Sequence, residues 1–178
     1  MFAVLILLVL LLAATVTDIA RHKIYNAMTY PGIVLGVVIN TTPWGYADWR
    51  SSLLGLFSCG AIMLVCFVLF DIGGGDVKLI AMIGGFLGYE AGIEVMLWTF
   101  VLGGISGTIL LIWRVGLLRM IAGTARHLWL VLRARSWLPL NEEEREPLTR
   151  WLYLAPSAFA AVCLVTAERF WGFGTLPM

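Results

Sequence analysis

Residues 1–26 read MFAVLILLVLLLAATVTDIARHKIYN. Met1 to Thr17 is almost purely aliphatic and carries no charge. A helix needs about 20 apolar residues to cross a hydrocarbon core of about 30 Å, so this stretch reads as a membrane span. A cleaved signal peptide places its positive charges before the apolar stretch. Here Arg21 and Lys23 come after it. The pattern predicts a retained first span, ending at Asp18, with the N-terminus outside the cytoplasm.

Working outward, Ile24 to Ile39 is a second, shorter apolar segment with Pro31 near its start. Asn40 to Arg50 reads as a polar turn and Ser51 to Phe70 as a third span. Asp71-Ile72-Gly73-Gly74-Gly75-Asp76-Val77-Lys78 follows. Leu79 to Tyr89 is long enough to cross only if its helix begins within the glycine tract. Glu90 and Gly92 mark a turn, and Glu94 to Trp113 is the fifth span. From Arg114 to Arg150 the chain carries Arg114, Arg119, Arg126, Arg133, Arg135, Arg145 and Arg150 among Leu, Ile and Trp. Val115 to Leu132 reads as an amphipathic helix on a membrane surface, where arginine stems snorkel. Asn141 to Glu146 reads as an acidic loop, and Trp151 to Phe170, with Pro156 inside it, as the sixth span. The expected fold is all-α and polytopic, a single domain over 1–178 with about six transmembrane helices. Residues 114–150 form a cytoplasmic arginine-rich amphipathic loop within it.

Composition agrees. Of 178 residues, 61% are hydrophobic and 13% charged, against about 45–50% apolar and about 25% charged in soluble domains. A small soluble core cannot hide that much apolar surface. The basic residues show no interleaved polar and aromatic binding face, so nucleic acid is not an expected partner. Cys59, Cys66 and Cys163 lie inside apolar runs without a CxxC pair. They read as packing residues, not as a metal site or a disulfide framework.

Orientation follows from the basic residues. With the N-terminus outside, the inner side receives Arg21, Lys23, Lys78 and the arginines of 114–150, while the outer side receives only Arg50 and Arg169. The positive-inside rule then places both termini outside the cytoplasm and both Asp18 and Asp76 at the cytoplasmic edge.

Ionisable groups at membrane depth are costly and mark functional sites. Read singly, Asp18 could be a helix-end charge paired with Arg21, and Asp76 a helix N-cap after a glycine turn. Asp71 reads as an interfacial charge paired with Lys78. Together, Asp18 and Asp76 sit on different helices at one membrane edge. Two such carboxylates suit amide hydrolysis by activated water: the ionised one takes a proton from the water, and the protonated one polarises the scissile carbonyl. The three glycines before Asp76 can take φ > 0 and let backbone come close. They lack the P-loop spacing, so phosphate binding is not expected.

These residues resemble a known family. Thr17-Asp18-Ile19-Ala20-Arg21-His22-Lys23-Ile24-Tyr25-Asn26 resembles the first aspartate motif of type IV prepilin peptidases, with Tyr25 where proline is usual. Gly73-Gly74-Gly75-Asp76-Val77-Lys78 resembles the second motif, GxGDxK, and Tyr153 to Ala158 the proline-containing motif of the last span. The resemblance implies a membrane aspartic endopeptidase, without a cofactor, that cuts the leader of prepilin-like substrates at the cytoplasmic membrane face. Asp18 and Asp76 are then catalytic, Gly73 and Gly75 shape the site, and Lys78 supports it. The cysteine-containing insert of larger members is absent here, which implies peptidase without N-methyltransferase activity, as in the branch serving tight-adherence pili. Lipid, and pilus-assembly proteins at the arginine-rich loop, are further expected partners.

Two other readings are distinct. Presenilin-like intramembrane proteases also carry GxGD, but their first aspartate follows a tyrosine, where this chain has Thr17. A non-enzymatic subunit or proton- or ion-conducting component would place a carboxylate near mid-bilayer.

Overall fold

The computed structural model describes residues 2–21, 24–70, 73–115 and 154–171. Every regular element among them is α-helical: α1 (Phe2–Arg21), α2 (Asn26–Ile39), α3 (Trp49–Phe70), α4 (Gly74–Val115) and α5 (Leu154–Trp171). Three are long and apolar enough to cross a membrane, over Phe2–Arg21, Trp49–Leu69 and Gly74–Leu110. The chain falls into two compact units, one of residues 1–102 with 153–178 and one of residues 103–152. In the second, the described helix over 103–115 folds its hydroxyls back on itself, Ser106 Oγ donating to Gly103 O (3.0 Å) and Thr108 Oγ1 to Gly104 O (2.7 Å). The expected surface helix over 115–132, the acidic loop and Asp71 lie outside the described residues.

In the first unit, α1 buries Ala3, Leu7, Leu11, Ala14 and Asp18, a stripe at helical spacing. Leu5, Val9, Leu12, Val16 and Ile19 stay exposed on its other faces. Exposed apolar side chains also run along α3 at Leu54, Phe57, Leu64, Val65 and Val68. An exterior this apolar suits lipid and not water, and the protein is an integral membrane protein. The α1 stripe packs against α5, whose inner face buries Leu154, Ala155, Ala158, Ala161, Val162 and Val165. Helix α1 continues one turn beyond Asp18 to Arg21. Asp18 therefore continues a core stripe; it does not end the helix.

The turn between the fourth and fifth spans differs from the sequence reading. Glu90 and Gly92 are helical, and the break falls at Gly88 (φ 81°, ψ −175°). That backbone region is open essentially to glycine alone. The chain bends sharply there. A Cβ added to Gly92 would lie 2.9 Å from Gly84 Cα, whereas eight residues of straight helix span about 12 Å. The break removes intrahelical partners, and distant side chains supply them. Asn40 Nδ2 donates to Gly85 O (3.0 Å) and Phe86 O (2.9 Å), Ser52 Oγ donates to Gly85 O, and Tyr89 N–H donates to Ser51 Oγ (3.1 Å). Asn40 Oδ1 also accepts from the backbone of Tyr46 (2.8 Å) and Ala47 (3.2 Å). Irregular backbone at membrane depth survives where protein satisfies it.

Asn40→Leu removes all four of its bonds; Gly85 O keeps the Ser52 hydroxyl, but Phe86 O loses its side-chain donor and the Tyr46 and Ala47 N–H groups lose their acceptor, at an expected cost of about 3 kcal/mol. Thr41→Val removes only an exposed hydroxyl bonded to Val38 O (2.7 Å) and should stay within about 0.5 kcal/mol. Unfolding titrations in mixed detergent micelles measure both. Equal midpoints for the two variants would refute the bracing role of Asn40.

Candidate active site

Asp18 is 9% exposed, and the backbone N–H of Ala155 donates to its Oδ2 at 3.4 Å. Ala155 lies in the first turn of α5, where N–H groups lack intrahelical partners and the helix dipole favours negative charge. Pro156, next in line, needs no partner because it has no N–H. The proline-containing segment thus serves as the cap over Asp18. Arg21 is not its ion-pair partner: Arg21 Nη1 donates to the Tyr25 hydroxyl (2.8 Å), with the guanidinium 5.9 Å from the ring centroid.

Asp76 is the third residue of α4 and not its N-cap. Its N–H donates to Gly73 O (3.0 Å). The glycine tract does not adopt φ > 0; among the described residues only Gly88 does. The tract matters through space. A Cβ on Gly75 would stand 3.0 Å from Ile24 Cβ, and one on Gly73 would stand 3.0 Å from Asp76 Oδ2, whereas Gly74 meets nothing nearer than 3.9 Å. Gly75 lets the link between α1 and α2 lie directly on the start of α4.

These elements enclose a cleft of about 330 Å³ lined by Asp18, Ile24, Tyr25, Asn26, Gly73, Gly75 and Asp76. The two carboxylates are within electrostatic reach of each other. No group of three or more His, Cys, Asp or Glu gathers among the described residues. Lys78 does not line the cleft. Its Nζ donates to Asn26 Oδ1 (2.7 Å) and sits 4.9 Å from the Tyr30 ring centroid. A larger cavity of about 440 Å³, with Val4, Leu8, Tyr46, Cys163, Arg169 and Phe170 in its wall, is mostly apolar. Its arginine is engaged by Glu94 at 2.8 Å, so it offers no acid pair.

The sequence reading named Asp18, Asp76, Gly73, Gly75 and Lys78. The structure brings the first four to one cleft and puts Lys78 behind Asn26. Ile24, Tyr25, Asn26 and Ala155 join the site without a chemical signal of their own in the sequence; each lies in a motif segment, the one signal that marks them.

The space around the glycines makes a prediction. Gly75→Val must push Ile24 away from α4 and widen the cleft, and should lower any activity of the site at least about tenfold, since displacements of about 1 Å cost up to about 10²-fold. Gly74→Ala should be neutral. Initial rates of the two variants, beside insertion controls, decide it; equal losses would refute the spatial argument.

Comparison with known proteins identifies the family of the chain. No solved structure matches the chain. Curated relatives that match are the prepilin leader peptidase/N-methyltransferases of Burkholderia pseudomallei strains 1026b and K96243, each 32% identical over 108 residues. The match covers 56% of this chain and 34% of each relative, so the chain matches about a third of their length. The sequence model of the type IV leader peptidase family matches residues 5–108, a stretch that holds Asp18, Asp76 and the glycine tract. With more than half of its length matched in this way, the chain belongs to the type IV leader peptidase family.

Proposed function

We propose that this protein is a membrane aspartic endopeptidase that removes the leader of type IV prepilin-like precursors, tight-adherence pilins among the candidates. The observation that carries the reading is the convergence of Asp18 from α1 and Asp76 from α4 on one cleft. Family membership supports it, and the relatives, named as prepilin leader peptidases, point to the substrate class. We place the protein in the cytoplasmic membrane with about six crossings, both termini outside and the cleft at the cytoplasmic face. The distribution of basic residues supports that orientation.

The reaction needs only the two carboxylates and water. As the water oxygen bonds to the scissile carbonyl carbon, the ionised carboxylate takes a water proton, and the protonated one gives its proton to the carbonyl oxygen. A tetrahedral gem-diol results. When the C–N bond breaks, the first carboxylate returns its proton to the leaving nitrogen, and a diol hydroxyl returns one to the second. A free carboxyl and a free amine remain. Such a pair titrates as a unit, so neither aspartate is fixed as acid or base.

We assign the peptidase step alone to this chain, and not the N-methylation in the relatives' name. The test is co-expression with a panel of prepilin-like precursors, followed by N-terminal sequencing and mass measurement of the product. A new, unmethylated N-terminus just before the hydrophobic segment supports the reading. No cleavage of any precursor by a stably inserted protein favours the non-enzymatic alternative.

A further inference from the structure

The cleft holds a polar group that the two-aspartate reaction does not use. Asn26 opens α2 and lines the cleft beside both carboxylates. A primary amide has an acceptor end and a donor end, and which one faces a site is set by its neighbours. Here the neighbour is an ammonium, which only donates. Lys78 Nζ lies 2.7 Å from Asn26 Oδ1, so the acceptor end is turned to the ammonium. Lys78 is held there from a second side by the Tyr30 ring, one turn along α2 at 4.9 Å. What Asn26 has left to offer the cleft is Nδ2, with two N–H donors.

A donor at that place fits a need of the reaction. Negative charge gathers on the carbonyl oxygen as the water attacks, before the proton from the carboxyl has fully arrived, and a second donor at that oxygen shares it in the transition state. The remaining lining offers few. Ile24 is apolar, and the Tyr25 hydroxyl is held by Arg21 Nη1 at 2.8 Å. We propose that Asn26 is a further catalytic residue: its Nδ2, turned into the cleft because Lys78 occupies Oδ1, donates to the carbonyl oxygen of the scissile peptide. No proton leaves the amide; it stabilises charge and transfers nothing. Lys78 is then a positioning residue that acts through Asn26. The inference rests on the two-aspartate reading of the same cleft.

The test uses the full-length protein in lipid bilayers with a precursor that it cleaves. Initial rates against substrate concentration are measured for Asn26→Leu, Lys78→Met, Lys78→Arg and the double variant Asn26→Leu/Lys78→Met. Removing one such donor costs about 10²–10³-fold in kcat elsewhere. Asn26→Leu should lose about 10²-fold in kcat with KM changed less than about threefold, the pattern of an interaction made only in the transition state. Lys78→Met frees the amide to turn and should lose about tenfold, while Lys78→Arg, still a donor, should stay within about threefold of wild type. The double variant should be no slower than Asn26→Leu alone, because Lys78 has nothing left to orient. A kcat for Asn26→Leu within about threefold of wild type, or a full additional loss in the double variant, would overturn the inference. If Asn26→Leu is not stably inserted, the Lys78→Met and Lys78→Arg pair decides, since both leave Asn26 in place. Asp18→Asn and Asp76→Asn run alongside: cleavage surviving in either removes the two-aspartate reading, and the Asn26 donor with it. Loss in both with wild-type rates for Asn26→Leu removes only the donor.

Discussion

Asp76→Asn and Asp18→Asn will each reduce leader cleavage by about 10³-fold or more while leaving the fold in place. The size follows from the chemistry. Positioned acid or base groups contribute about 10²–10⁴-fold each, and in the proposed mechanism the two act as one unit with one shared proton. Removing either should therefore cost nearly as much as removing both, as in other catalytic units whose parts act together. The survival of the fold follows from the local bonds. Asp76 N–H donates to Gly73 O at 3.0 Å, and Asp18 accepts from the Ala155 N–H at 3.4 Å. The first is a backbone bond that asparagine retains and the second is one that an amide oxygen accepts, so asparagine keeps the first turns of α4 and α5 intact while losing the ability to move a proton. Asp→Glu tests geometry instead of chemistry. It retains the carboxylate but displaces it by a methylene, and about 1 Å of misplacement costs about 10²-fold. The measurement is single-turnover cleavage in bilayers, with each variant matched for inserted protein. More than a tenth of wild-type activity in either Asn variant would exclude that aspartate from the reaction. A double variant much slower than both singles would break the claim that they form one unit.

What the sequence disclosed and what it hid divide along one line. Asp18 and Asp76 were legible because a charge in an apolar run has few uses, and α1 was legible because seventeen residues before Asp18 carry no charge. The features that were missed all depend on partners far away in the chain. Helix α4 could have broken at any of several glycines or at Glu90. It breaks at Gly88, where Asn40, Ser51 and Ser52 lie in place to satisfy the freed backbone. Lys78 was read as a partner for Asp71, seven residues before it. Asp71 lies outside the described residues; among those described, Lys78 reaches across to Asn26, a contact between α4 and α2 that local spacing does not encode. The proline-containing segment was recognisable as a motif. Its use, a helix N-terminus laid on Asp18, joins residues 137 apart. Helix-forming pattern and isolated charge are local properties; hydrogen-bond partnership in a helical membrane protein is a tertiary one.

The other large effect concerns Gly84, where substitution should do to the assembly what the aspartate variants do to the chemistry. Helices in lipid gain little from apolar burial, so close packing of small residues carries much of their association. Gly84 sits between two backbones. A Cβ there would run into the carbonyl of Gly55 in α3, and a Cβ on Gly92, beyond the Gly88 bend, would stand 2.9 Å from Gly84 Cα. Neither neighbour is a flexible side chain that can swing aside, so the helices themselves must separate. Gly84→Leu is therefore expected to destabilise the protein by about 3 kcal/mol or more, at or above the upper end for overpacked cores. The same α4 segment starts two residues before Asp76, so a shift of even about 1 Å at its base should also cost activity about 10²-fold in whatever fraction remains folded. Gly104→Ala provides the control. Gly104 lies beyond the Gly88 break with nothing within 4 Å of an added Cβ, and alanine there should be neutral or stabilising by up to about 1 kcal/mol. Unfolding midpoints and single-turnover rates of the two variants separate the outcomes. A Gly84→Leu protein that unfolds with the wild type would show that the α3–α4 contact is looser than the structure has it. One that is destabilised but cleaves at the wild-type rate per folded molecule would show that the cleft is insulated from the packing beneath it.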